Sequence, residues 1–221
     1  MNVLVACEES QEVCKAFRAL GHTAYSCDVQ DCSGGHPEWH IKGNVLPLIN
    51  GDCTFRTADT HTHTQRGRWD MIIAFPPCTY MTNAGAVRMR VKGEIVPERY
   101  AKAMEAKEFF MKFYNADCER VVIENPVPMK IVGLPPYSQT IQPYEHGHPY
   151  SKKTCLWLRG VPPLMATEIL AEHEPYVNGG CKDAHGNYKR FQGRKERDAK
   201  TRSKTFPGIA RAMAEQWGVN R

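Results

Sequence analysis

The chain has 221 residues, 42% of them hydrophobic and 24% charged, enough apolar material to bury one good core without calling for a second full domain. No run of apolar residues reaches the length that a membrane-spanning helix needs, and the opening residues enter a strand-like pattern without a basic segment and a long apolar stretch, so a cytoplasmic protein with no membrane partner is expected. The net charge of +5 is uneven: residues 182–204 hold nine lysines and arginines against three acids, which leaves the rest of the chain near −1.

Taken in chain order, residues 2–6 read as a buried strand, residues 10–20 as a helix that stops at Gly21, and residues 23–27 as a second strand. Residues 50–68, with Thr60-His61-Thr62-His63-Thr64, lack periodicity and read as an exposed loop. A strong strand follows at 69–74. Residues 79–97 are again aperiodic, and a helix over 98–115 is expected to bury Ala101, Met104, Phe109, Phe110 and Phe113. Strands at 120–124 and 154–158 come next, then a polar, Gly-containing, basic stretch at 171–204 and a closing helix over 207–217 with proline in its first turn. Strands alternating with helices predict an α/β architecture, a mostly parallel sheet with helices on both faces.

Nine cysteines without paired Cys-x-x-Cys spacing read mostly as reduced, small, buried hydrophobes. Cys27, Cys32, His36 and His40 are ligand types for zinc, but their spacing is not that of a familiar finger, so no metal is expected.

In an open parallel sheet, ligands gather outside the carboxyl ends of the strands. The residues found there are Cys7, Glu8, Glu9, Asp28, Asn44, the Phe75-Pro76-Pro77-Cys78 run and Glu124-Asn125-Pro126. A cysteine behind two prolines has little backbone freedom, which suits a nucleophile aimed at a flat electrophile; the same residue could equally be packing in a tight turn. A thiolate at neutral pH would need a nearby positive charge or a helix N-terminus.

Read outward from Cys78, the spacing becomes more specific. Asp70 stands eight residues before it, Thr82 four after and Gly85 seven after, and Val122-Ile123-Glu124-Asn125-Pro126 follows. These two segments resemble the Pro-Cys and Glu-Asn-Val motifs of the DNA cytosine-5 methyltransferases, above all the short members carried by bacteriophages and prophages. More loosely, the residues from Leu4 to Gln11 with Asp28 resemble the family's cofactor-binding strand, helix and ribose-binding acid. Gly43-Asn44 stands at its adenine-contacting element, Lys152 keeps one positive position of its base-holding Gln-x-Arg-x-Arg element, and the residues from Ser203 to Ala210 resemble its last motif. The usual Gly-rich turn after the first strand is replaced by Glu8-Glu9-Ser10.

The resemblance implies a Rossmann-like class I methyltransferase fold over residues 1–221, with a reduced basic target-contacting insertion at about 159–204. It implies methyl transfer from S-adenosylmethionine to carbon 5 of cytosine in DNA. Cys78 would add to carbon 6, Glu124 would protonate ring nitrogen 3 from a pKa raised by burial, and Lys152 would assist. Cofactor contacts are expected from Cys7, Glu8, Glu9, Asp28, Asn44, Asp70, Phe75, Pro76 and Ser203. Substrate contacts are expected from Pro77, Thr79, Thr82 and Asn125, from Arg88 and Arg90 in a loop that could close over a flipped base, and from Lys189 and Arg190 beside Tyr188 and Phe191. Phe75 cannot accept a hydrogen bond from an exocyclic amine, which argues against amino methylation. Two alternatives stay open: modification of a free cytosine nucleotide, and a catalytically silent DNA-binding protein that keeps the fold. Oligomeric state is not legible.

Overall fold

A computed structural model describes residues 1–177, 179–182, 187–191, 193 and 199–219. Seven strands form the main sheet: β1 (Asn2–Ala6), β2 (Thr23–Asp28), β3 (His40–Lys42), β4 (Met71–Ala74), β5 (Val121–Pro126), β6 (Gln139–Ile141) and β7 (Thr154–Arg159). Their spatial order is β6-β7-β5-β4-β1-β2-β3. The run from β3 to β5 is parallel, while β7 lies antiparallel to both β5 and β6. The helices are α1 (Glu12–Ala19), α2 (Pro97–Tyr114), α3 (Ala199–Ser203) and α4 (Pro207–Trp217). The fold is therefore α/β with a mostly parallel sheet.

Side chains alternate across the sheet and divide the core in two. Val3, Val5, Met71, Ile73, Val122 and Leu156 meet α1 and α4 through Val13, Phe17, Ile209, Met213 and Trp217. Leu4, Ala6, Ile72, Ala74, Ile123 and Trp157 meet α2 through Ala103, Phe110 and Phe113. Strands covered on both faces need apolar residues at every position, and β1 and β4 are accordingly near-continuous apolar runs. Each fully buried large side chain contributes about 1.5–3 kcal/mol, so the centre of the sheet is a rigid platform for whatever its carboxyl edge carries.

From β1 the chain moves outward to β2 and β3, then crosses back to β4 and β5 on the other side of β1. Strand order thus reverses between β1 and β4, which opens a crevice at their carboxyl ends.

Two expectations are corrected. Residues 50–68 are not a loop: Cys53–Arg56 and Thr62–Gln65 pair as an antiparallel ribbon. Phe55 and Gln65 are its two buried residues, too few to write an alternating apolar pattern into the sequence. His63 is accordingly half-buried, its ring 5.1 Å from that of Tyr25 and bonded to the Tyr25 hydroxyl. In α2, Ala103 is buried in place of Ala101. Among the described residues no helix is long and apolar enough to cross a membrane.

Candidate functional site

The Phe75–Cys78 run leaves β4 at the crevice. The Phe75 amide donates to the Ala6 carbonyl at 2.9 Å, which extends the β1–β4 pairing by one residue. Pro76 is buried, and its carbonyl accepts the Asn125 side-chain amide at 2.8 Å. Pro77 is exposed and Cys78 half-buried, with the Cys78 carbonyl accepting the Met81 amide at 3.1 Å to close a turn. Beyond that turn the chain is tied to the segment after β5: Met129 N–H donates to Met81 O at 2.7 Å, Asn83 N–H to Val127 O at 3.0 Å, and Thr82 bridges Pro128. Thr82 is therefore buried in backbone pairing, whereas Thr79 is exposed. Thr79 and Thr82, both expected as substrate contacts, thus have different surroundings.

Glu124 comes one residue after Ile123, which pairs with Ala74, and so faces the start of the Phe75–Cys78 run. Burial raises its carboxyl pKa, opposed by the Lys152 ammonium and a hydrogen bond from the Thr154 hydroxyl. A carboxyl in that balance holds its proton above the ordinary carboxylate range, as expected. The Cys78 thiol is also raised, first by burial and next by the charge of Glu124, with Lys152 pulling the other way. The thiolate is thus not favoured, because Lys152 does not outweigh burial and a neighbouring acid. Lys152 is itself tethered: its Nζ donates to the Arg202 carbonyl at 2.8 Å and lies 5.9 Å from the centre of the Phe206 ring. Cys78, Glu124 and Lys152 therefore share one electrostatic neighbourhood.

The corner after β1 is built differently. Cys7 and Gln11 both adopt φ 60, a left-handed conformation that glycine takes easily and other residues take at a cost of about 1–2 kcal/mol. The turn keeps a glycine-like backbone without glycine. Gln11 is fully buried and clamps the loop after β2: its amide nitrogen donates to His36 O at 2.8 Å and its oxygen accepts His36 N–H at 3.1 Å. Gly34 packs on this turn, where a Cβ would stand 2.5 Å from Ser10 O.

Glu8 needs correction as a cofactor contact. It is buried, and its carboxylate accepts the Val13 amide at 2.7 Å and the Cys14 amide at 3.2 Å. It supplies the cap that Gln11, with no side-chain cap bond, does not give α1. A helix N-terminus is an anion site, and here the chain's own carboxylate fills it. Burial raises the Glu8 pKa to about 7 in spite of those two amides.

Other expected residues disperse. Asp70 is corrected outright: it precedes β4, at the amino end opposite the crevice, and accepts the Asn2 amide at 2.6 Å. Asp28 ends β2 close enough to Cys7 to raise its thiol pKa, after the larger effect of burial. Glu9 is buried, with its carbonyl accepting the Ser33 amide at 2.8 Å. Asn44 is exposed after β3, its side-chain oxygen accepting the Leu46 amide at 3.0 Å. Phe75 packs partly buried against the α1–α4 face. Ser203 is exposed at the end of α3, next to Lys204, whose Nζ donates to Ser33 Oγ at 3.0 Å. That bond and the Lys152–Arg202 bond carry the segment before α4 across the carboxyl edge. Arg88 and Arg90 are exposed in the stretch after Cys78. Lys189 and Arg190 lie on the ribbon of Gly179–Lys182 with Tyr188–Phe191, of which the backbone alone is described; residues 183–186, 192 and 194–198 of the basic stretch lie outside the described residues.

No family model and no curated protein matches the chain. The site therefore rests on its own geometry. The zinc-type residues are engaged elsewhere: both His40 ring nitrogens are hydrogen-bonded, to Ser26 Oγ and Gln30 O, and His36 stacks on Trp39 with centroids 3.7 Å apart. Among the described residues no three His, Cys, Asp or Glu side chains are gathered as a metal requires. A groove of about 380 Å³ between α1 and α4 includes none of Cys78, Glu124 and Lys152. Two contributors were not foreseen. Thr154 carried a readable signal, two residues from Lys152 at the start of a strand; Arg99, which donates to Thr79 O at 3.3 Å, carried none, because the contact joins segments twenty residues apart.

Proposed function

We propose that the chain transfers a methyl group from S-adenosylmethionine to carbon 5 of cytosine in DNA, through a covalent adduct at Cys78. The observation that supports this reading is the shared neighbourhood of Cys78, which follows β4, Glu124 on the adjacent parallel β5 and Lys152 just before the antiparallel β7, with the Glu124 pKa raised by burial against the pull of the ammonium. The reversal of strand order beside them supports a Rossmann-like class I methyltransferase fold.

Cytosine becomes nucleophilic at carbon 5 once sulfur has added at carbon 6 and nitrogen 3 has taken a proton. Glu124 is suited to give that proton because its pKa is raised toward neutrality. Cys78 loses its own proton to water, and the Lys152 ammonium favours the resulting thiolate. After methyl transfer, water takes the carbon-5 proton, the electron pair of that bond restores the ring double bond and expels Cys78 as its thiolate, and nitrogen 3 returns its proton to Glu124. Asn125 fixes the run before the nucleophile through Pro76 O.

The residues of the crevice fit the cofactor. Glu8 occupies the N-terminus of α1, which leaves no place there for a phosphate, and S-adenosylmethionine carries none. Cys7, Glu9, Asp28, Asn44, Phe75 and Pro76 would line its site, with Asp28 as acceptor for ribose hydroxyls. When bound, the cofactor supplies an electrophilic methyl carbon on a positively charged sulfur. A base stacked in a duplex cannot present carbon 6 to a thiol, and Arg88, Arg90, Lys189 and Arg190 provide positive charge for the backbone around an extruded nucleotide.

The test is a covalent trap with duplex DNA containing 5-fluorocytosine, comparing the wild type with Cys78→Ser. A denaturation-resistant complex that requires both S-adenosylmethionine and Cys78 is expected. Turnover of dCMP or dCTP without DNA trapping would replace the substrate; DNA binding with no adduct would make the chain a silent binding protein.

A further inference from the structure

Arg99 is the third residue of α2, and its guanidinium reaches back to the turn that begins at Cys78. Nη2 donates to the Thr79 carbonyl at 3.3 Å, and the guanidinium carbon lies 5.1 Å from the centre of the Tyr80 ring. Nε is buried with no hydrogen-bond partner. An unmet buried donor costs about 1–3 kcal/mol, so the side chain's placement must be sustained by what the rest of the guanidinium holds. What it holds is the backbone and ring of the two residues that follow the nucleophile. Gly85 packs on the same group: a Cβ there would come 2.8 Å from Arg99 Nη2 and 3.2 Å from Thr79 O. Gly85 has no left-handed φ, so its lack of a side chain serves space and not backbone conformation.

We propose that Arg99 is a positioning residue for the Cys78 thiol, acting through Thr79 and Tyr80, and that the bare Gly85 leaves room for its guanidinium. The turnover part rests on the methyl-transfer reading above; the thiol-positioning part stands without it.

Arg99→Met removes the contact, Gly85→Ala displaces it, and Arg99→Gln keeps a donor while removing the charge. Two readouts separate the roles: kcat and KM for methyl transfer, and the rate at which iodoacetamide alkylates Cys78, located by peptide mapping with the buried Cys14, Cys118 and Cys155 as internal controls. Arg99→Met and Gly85→Ala are expected to lower kcat about 100-fold, the effect of a misplacement near 1 Å, with KM little changed. Both should alkylate Cys78 about threefold faster or more, because a released turn exposes the thiol to water. The double variant should be no worse than the weaker single one. Arg99→Gln should fall between wild type and Arg99→Met. Wild-type alkylation in both Arg99→Met and Gly85→Ala overturns the proposal. So does an equal rise at Cys14, Cys118 and Cys155, which marks general loosening. Should the wild type transfer no methyl group, that reading fails, and the alkylation rates still decide whether Arg99 positions the thiol.

Discussion

The crevice has two walls built on different principles. On the β4–β5 side, chemically distinctive groups converge, and backbone bonds between 81–83 and 127–129 hold them together. On the β1–β2 side the chain fills its own site: Glu8 sits at the head of α1, and Cys7 and Gln11 hold a backbone shape normally left to glycine. The first wall keeps reactive groups close to one another, and the second closes a vacancy with the protein's own side chains. Reactivity and shape are thereby assigned to separate stretches of the same edge.

The largest effect that would break this contrast is on the reactive wall. Glu124→Gln keeps the shape but cannot give up a proton, and a fall of about 1000-fold in methyl transfer is expected; single-turnover assays with cofactor in excess measure it. Activity within tenfold of wild type would remove Glu124 from the chemistry.

Next is the self-filled wall. The Glu8 pKa is raised in the folded chain, from 4.5 to about 7. Its contribution to stability is thus fully present below pH 4.5 and lost as pH rises through about 7, because the folded state holds a proton that the unfolded chain releases. The difference amounts to about 3 kcal/mol. Chemical denaturation between pH 5 and pH 8 should show that loss in the wild type and a flatter profile in Glu8→Gln. Parallel profiles would mean that the carboxyl stays ionised throughout.

The smallest effect sharpens the reactive wall. Lys152→Met removes the ammonium that favours the Cys78 thiolate, and alkylation of Cys78 at fixed pH should slow roughly tenfold, as for a rise of about one pKa unit. In the wild type the alkylation rate should still be climbing at pH 9.0, since the thiol lies above that ordinary value. A plateau near neutrality would show a preformed thiolate.

The two walls also differ in how much of them could be read beforehand. Cys78 and Glu124 stood out because two motif-like segments carry them, the first directly after β4, an unbroken apolar run. Glu8 was legible as a strand-end acid but not as a helix cap, since a capping carboxylate five residues ahead of its amide partner leaves no standard capping signature in the sequence. Asp70 was drawn in by its spacing from Cys78, although the whole of β4 lies between them, which puts Asp70 at the opposite end. Among the strands, β3 and β6 were missed: three residues each carry no period, and they exist because a neighbour offers an unpaired edge. Residues 10–20 overshot α1 because Ser10 and Gln11 look like a helix start, whereas Gln11 is left-handed and begins nothing.

The packing of α1 against α4 bears on biosynthesis. Val13, Cys14 and Phe17 are synthesised well before their cover, Ile209, Met213 and Trp217. A nascent chain therefore carries an apolar surface until α4 is made, an invitation to chaperones. Stopping synthesis before Pro207 would leave that layer bare.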